Sequence, residues 1–250
     1  MGLAFPSVLG IAAGFDLLGQ LGRSVSAAGF GFSEIGSLDA AALPDELIFN
    51  QQGSARLGIN LRLDPTCSAT QLCQGLARAW AHADYLMLNL IAPGSEALLE
   101  RQERPRLRRL LIELLRTCRE REQATARPVP VAVKLRSLPQ QVPLELAQLL
   151  LELGFDGLLA AHDPGPPATR QRYRDWQHDM QQAQACRQLE QLHRLCGHDL
   201  ALMSVGGIQT AAHLRARLEA GADLVQVHTA LMHQGPWLAR GLLARDSERS

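Results

Sequence analysis

Two asparagines and a lysine stand at or near the ends of otherwise apolar runs: Asn60 in LGIN, Asn89 in YLMLN and Lys134 in VPVAVK. Packing alone does not explain them, because a buried amide or ammonium needs hydrogen-bonding partners. A bound polar ligand would supply those partners. A different chemistry is offered by Gly206-Gly207 in SVGGIQT, where two glycines separate an apolar run from a helical one. Glycine lets backbone N–H groups approach an anion closely, and the following helix adds its positive N-terminal end, so the junction suits a phosphate. The same pair also suits a plain tight turn. Polar or glycine-containing stretches close further apolar runs: Ala13-Gly14-Phe15-Asp16, Gly36-Ser37, His162-Asp163 and His228-Thr229.

The elements that must position these residues are eight apolar runs of strand length, at 8–12, 32–35, 57–61, 85–90, 129–135, 157–160, 200–205 and 224–228. Their near-continuous apolar character fits parallel strands covered on both faces. Segments with helical character lie at 17–28, 66–81, 96–123, 140–153, 168–195, 210–219 and 236–244, while 39–55 reads as a loop. Eight strand and helix units predict a closed (β/α)8 barrel, and 250 residues suit one such domain over 1–250. In that fold ligands sit at the C-terminal strand ends, where the polar residues above are found.

The composition narrows the partners. With 25 Lys+Arg against 25 Asp+Glu, no global field favours nucleic acid or an anionic membrane. The leading apolar run lacks a basic flank and closes at Asp16, so neither a signal peptide nor an integral membrane segment is expected. Five cysteines without CxxC spacing predict reduced thiols and no metal framework, hence a soluble cytoplasmic protein. Leucines 107, 110, 111, 114 and 115 mark an amphipathic outer helix with an Arg- and Glu-rich outer face. The Gln-rich stretch 170–194 reads either as a surface excursion or as a contact for a protein partner.

Blocks in colinear order resemble the dihydroorotate dehydrogenase family, most closely its quinone-linked class. They are GIAAGFD (10–16), GFGFSEIGS (29–37), FNQQG (49–53), LGIN (57–60), ADYLMLNL (83–90), PVAVK (130–134), GFDGLL (154–159) and the long run from Ser204 to Pro236. The resemblance implies a (β/α)8 barrel holding FMN at the strand ends, with hydride transfer from dihydroorotate to the flavin while a Ser or Cys removes a proton. Residue by residue, it assigns Ala12, Ala13, Gly14, Ser37, Asn60 and Asn89 to the flavin ring. It sets Lys134 beside the ring's N1 and C2 carbonyl, where a cation stabilises the negative charge of the reduced form. Gly206 and Gly207 match the phosphate turn, followed by His228 and Thr229, where the family has Tyr and then Ser or Thr. Asn50 and Asn89 match substrate-gripping amides.

The substrate side departs from the family pattern. Leu17 stands where a carboxylate-binding lysine is expected, Gly94 replaces an asparagine, and AAHDP places His162 where another asparagine belongs. Ala92 occupies the position of the proton-abstracting serine and cannot take a proton. Ser95 and His162 are the candidates for a relocated base; Ser95 also suits the N-cap of a helix starting at Glu96. Among the blocks that carry the resemblance there is no counterpart of a second phosphate-binding segment (GGLSG), and the helical pair that forms the quinone tunnel is not expected. Three readings follow: an FMN-dependent oxidoreductase acting on dihydroorotate or a related small substrate, a catalytically degenerate flavin-binding barrel serving as a partner subunit through 170–194, or a flavin-free isomerase or aldolase using Lys134.

Overall fold

The computed structural model describes residues 1–44, 46–163 and 168–244. Eight parallel strands close on themselves in sequence order: β1 (Leu9–Asp16), β2 (Phe32–Asp39), β3 (Arg56–Arg62), β4 (Tyr85–Asn89), β5 (Val131–Arg136), β6 (Gly157–Ala161), β7 (Ala201–Val205) and β8 (Leu224–Val227). Closure is completed by β1 pairing with β8, Gly10 opposite Gln226. The eight apolar runs are these eight strands, and the expected (β/α)8 barrel is the observed architecture.

Because side chains alternate across a strand, each strand divides its residues between the barrel interior and the helix layer. The interior takes Ala12, Phe32, Tyr85, Met87, Ala132, Leu159, Ala161, Met203, Val205 and Leu224. Its lower end is closed by Met1, Leu3 and Phe5, with the Phe5 ring edge-on to Phe32 at 5.3 Å and to Tyr85 at 6.0 Å. The opposite parity, including Leu9, Ile11, Ile59, Leu61, Leu86, Leu88, Val131 and Val133, packs against the surrounding helices in the larger core.

The helix layer comprises α1 (Ala69–Trp80), α2 (Arg104–Thr125), α3 (Leu144–Leu153), α4 (Arg170–Asp175), α5 (Asp179–Cys196), α6 (Ala211–Glu219), α7 (Thr229–Gln234) and α8 (Leu238–Leu243). In α2 the leucines at 107, 110, 111, 114 and 115 are all buried, as the amphipathic pattern predicts. Several expected helices change length. The segment 17–28 is not one helix: the Asp16 carboxylate accepts from the N–H groups of Leu21 and Gly22, folding a turn that leaves only a 3₁₀ helix at Gly22–Ala28. The 96–123 segment starts as two 3₁₀ turns and becomes α-helical only at Arg104, where Pro105 fits the first turn and not an interior. Pro143 likewise sets the start of α3. The 168–195 segment breaks between α4 and α5, and α7 was not anticipated. Between β2 and β3 the described residues contain only the 3₁₀ turn Ala40–Ala42, so that unit has a loop, as expected; Asp45 lies outside the described residues. That turn packs on α1 so closely that a Cβ at Gly75 would lie 1.5 Å from the Ala40 carbonyl oxygen.

Candidate active site

A cavity of about 550 Å³ opens at the C-terminal ends of the strands, within the range of small-molecule sites. Ala12, Ala13 and Gly14 of β1, Ser37 of β2, Asn89 of β4 and Lys134 of β5 line it, with Gly206 and Gly207 after β7 and His228 and Thr229 after β8. Ten of the sequence-predicted cofactor residues therefore share one cavity.

Asn60 is the exception, and its placement corrects its expected role. It faces inward one row below Asn89, because β3 pairs with β4 as Asn60 to Met87 and Arg62 to Asn89. It is fully buried and does not reach the cavity surface. Its Oδ1 accepts from Ser37 Oγ at 2.6 Å and from Asn89 Nδ2 at 3.1 Å, and its Nδ2 donates to Glu34 Oε2 at 2.9 Å. Asn89 is fixed equally well: Nδ2 also donates to Ser37 Oγ at 2.8 Å, and Oδ1 accepts from the Ile91 N–H. Asn60 is thus an anchor for the two polar residues of the wall.

Beneath that anchor lies Glu34, fully buried inside the barrel. Its carboxylate accepts from Asn60, from the Tyr85 hydroxyl at 3.2 Å and from Gln226 Nε2. Burial beside this carboxylate drives the Tyr85 phenol well above its usual range. Burial pushes the Lys134 ammonium down, while the negative charge of Glu34 opposes that shift. Among the described residues Lys134 has no hydrogen-bond or ion-pair partner, so its ammonium is available to a ligand. The imidazole of His228 is held below the usual value by burial and by the Lys134 charge, against the opposing Gly14 carbonyl.

At the Gly206-Gly207 turn both glycines have positive φ, 110° and 78°. A Cβ at Gly206 would come within 2.8 Å of the Asp163 nitrogen, and one at Gly207 within 2.1 Å of the Trp176 ring. Packing therefore already demands glycine here, whatever the turn binds. Trp176 follows α4 and donates its indole N–H to Asp163 Oδ2 at 2.9 Å. Gln182 of α5 donates to the carbonyls of Trp176 and Gly207 at 2.7 and 2.8 Å. Behind the turn lies Arg217, a guanidinium with no exposed surface that donates to Gln182 through two nitrogens at 3.0 Å and to the Gly206 carbonyl at 3.4 Å.

Other sequence candidates lie elsewhere. Ser95 is fully buried and donates to the Leu63 carbonyl at 2.8 Å; it begins a 3₁₀ helix whose N-cap is Gly94, so it is neither a base in the cavity nor a cap. His162 follows the inward-facing Ala161 and therefore points outward, where its Nδ1 meets Gln188 Oε1 at 2.8 Å. Burial, with the nearby Arg217 charge, lowers its pKa to about 3, and it does not line the cavity. Pro164, which ends the AAHDP run, lies outside the described residues. Asn50 joins loops, donating to the Gln20 carbonyl and accepting from the Gln52 N–H, also away from the cavity. Ala92 does line the cavity, and Leu17 is exposed outside it. The 170–194 segment covers this chain's own barrel: Tyr173 and Trp176 wall the cavity, while Ala185, Leu189 and Leu192 are buried. It supports no protein partner.

Reasoning from strand ends missed Glu34, Gln226, Arg62 and Arg136. Their signal was parity: each is a polar residue at an even spacing from an inward-facing one, Arg62 two beyond Asn60 and Arg136 two beyond Lys134.

Comparison with known proteins decides the family. A family profile described as dihydroorotate dehydrogenase matches residues 180–245. A dihydroorotate dehydrogenase (quinone) of Kocuria rhizophila is 31% identical over 301 residues, covering 96% of this chain and 81% of the relative. The chain belongs to the dihydroorotate dehydrogenase family. A second member of the family, from Alkalilimnicola ehrlichii and also named as the quinone type, is 30% identical over 97% of this chain and 84% of its own length. In three dimensions the barrel is similar to the crystal structure of DHODH from Eimeria tenella in complex with ferulenol. The TM-score is 0.73 at 22% identity, covering 96% of this chain and 80% of that one. Membership in the dihydroorotate dehydrogenase family implies a flavin cofactor and a small-molecule substrate. No helix among the described residues is long and apolar enough to cross a membrane, and they hold no cluster of three or more potential metal ligands.

Proposed function

We propose that the chain is an FMN-dependent oxidoreductase that oxidises dihydroorotate to orotate, or acts on a closely related small substrate, in the cavity described above. The observation that carries this reading is the polar wall at one side of the cavity: Ser37 and Asn89, both hydrogen-bonded to the buried Asn60, stand there beside the ammonium of Lys134. Ala12, Ala13 and Val205 bring apolar surface to the same cavity, a lining suited to a ring with one polar edge. The residues present fit the cofactor's ring better than its phosphate, since the glycines of the turn also answer to Asp163 and Trp176.

With FMN bound, the reaction is a hydride transfer from the substrate to the flavin. Lys134 supplies positive charge to the region in which negative charge accumulates on reduction. Ser37 and Asn89 orient, because their hydrogen bonds to Asn60 leave them one arrangement. Gly206, Gly207 and Thr229 form the end of the cavity suited to the phosphate. Ala92 offers no proton acceptor, so proton removal here is slow or falls to another group. A cytoplasmic location belongs to this reading: the five cysteines are all free thiols.

The visible spectrum of the purified protein is the test. Absorbance near about 370 and 450 nm that bleaches anaerobically with dihydroorotate supports the proposal. A colourless protein that takes up no added FMN defeats it. A flavin that binds but stays oxidised with dihydroorotate moves the substrate to another small molecule.

A further inference from the structure

We propose that Arg62 and Arg136 form an anion site at the mouth of the cavity, and that the group they take is the carboxylate of the substrate. The proposal rests on the active-site reading above and adds what selects the substrate.

Strand parity places both guanidiniums. Arg62 shares the row of Asn89, and Asn89 pairs with Lys134, while Arg136 lies two residues further along β5. Arg62 and Arg136 therefore flank the end of β4 from its two neighbouring strands, and both line the cavity. Adjacent strands lie about 4.8 Å apart, so β3 and β5 are separated by about 10 Å, a span within the reach of long side chains from the two strands.

Each arginine is only partly engaged. Arg62 meets Asp39 through Nη2 at 2.5 Å, and Arg136 meets Glu96 through Nη2 at 2.7 Å. A guanidinium has five N–H donors, and a planar fork of two suits a carboxylate. Neither Asp39 nor Glu96 lines the cavity, whereas both arginines do, so the counter-charges lie off the surface that a ligand meets. Asn89, the amide between the arginines, has both ends of its side chain engaged by the protein. Asp163 is the one carboxylate lining the cavity among the described residues, and it lies at the end of β6 beneath Trp176. The unengaged donors at this side thus belong to cations, and the ligand group that satisfies two of them is anionic.

Calorimetric titration of the purified protein with orotate and with uracil, which lacks the carboxylate, tests the site without requiring turnover. Wild type is expected to favour orotate by tenfold or more, and Arg62→Gln/Arg136→Gln to reduce that preference to a few-fold while leaving uracil binding unchanged. Glu96→Gln, which releases Arg136 from its partner, should tighten orotate and not uracil. A wild type without preference, or a preference that survives the double substitution, overturns the proposal. The two readings fail separately: a protein that prefers orotate yet never reduces its flavin loses the activity and keeps the anion site. One that oxidises dihydroorotate without a carboxylate preference loses the site and keeps the activity.

Discussion

Trp176 donates its indole N–H to Asp163 at 2.9 Å, and this bond holds the ring across the face of Gly207. The segment before α5 is thereby fixed on the strand ends and forms one wall of the cavity. Gly207→Ala meets two penalties, the ring at 2.1 Å and a φ of 78°. It should destabilise the fold by about 2 kcal/mol or more. In a Trp176→Ala background the clash is gone and about 1 kcal/mol of backbone strain remains. Urea denaturation of the four proteins checks this; an equal cost in both backgrounds would mean that ring and turn are not coupled.

Ala92 lines the cavity at the position that the family resemblance gives to the proton-abstracting serine. Ala92→Ser places a hydroxyl on that wall. If dihydroorotate is the substrate, the rate of flavin reduction should rise, on the order of 10²-fold for a positioned general base. Anaerobic stopped-flow at 450 nm (about the flavin maximum) reads the rate directly. An unchanged rate would show that proton removal is performed elsewhere.

His162 is buried with its pKa lowered to about 3 from 6.5. The unfolded chain therefore binds a proton near pH 6.5 that the folded chain refuses until about pH 3, so stability is lost as pH falls through this window. The loss attributable to His162 at pH 5 is about 2 kcal/mol, from 1.36 kcal/mol per pH unit. His213 and His228 are shifted in the same direction and add to it. Denaturation midpoints of wild type and His162→Asn between pH 7.5 and 5 (roughly spanning the unfolded histidine pKa) should converge toward low pH. Parallel curves would assign the acid sensitivity to other groups.

Glu34 receives donors from Asn60, Tyr85 and Gln226 and stabilises the charge of Lys134 through space. Glu34→Gln sets an amide donor against those donors and removes the counter-charge. A loss of about 2–3 kcal/mol is expected. Because Asn60 positions Ser37 and Asn89, flavin release should accelerate as well; tighter flavin binding in this variant would contradict the anchoring role.

The eight strands were legible in the sequence because parallel strands covered on both faces must be apolar on both, which leaves unbroken runs such as Tyr85 to Leu88. The residues at their ends were legible for the converse reason: Lys134, Asn89 and Gly206-Gly207 interrupt that pattern where a barrel opens to solvent. What the sequence left undecided was direction and depth. His162 and Ala161 are neighbours at the end of the same strand, yet only Ala161 faces the cavity, because alternation is fixed by the register with β5 and β7. Asn60 and Asn89 read alike as strand-closing amides, and the stagger of β3 against β4 puts one behind the wall and one in it. Ser95 and Asn50 were drawn away from the site by loops whose hydrogen bonds to Leu63 and Gln20 no local pattern encodes. Residue type and spacing determined the barrel and the chemistry available at its mouth. Register, closure and the packing of Trp176 on Gly207, all set by contacts between residues distant in sequence, decided which of those side chains meet.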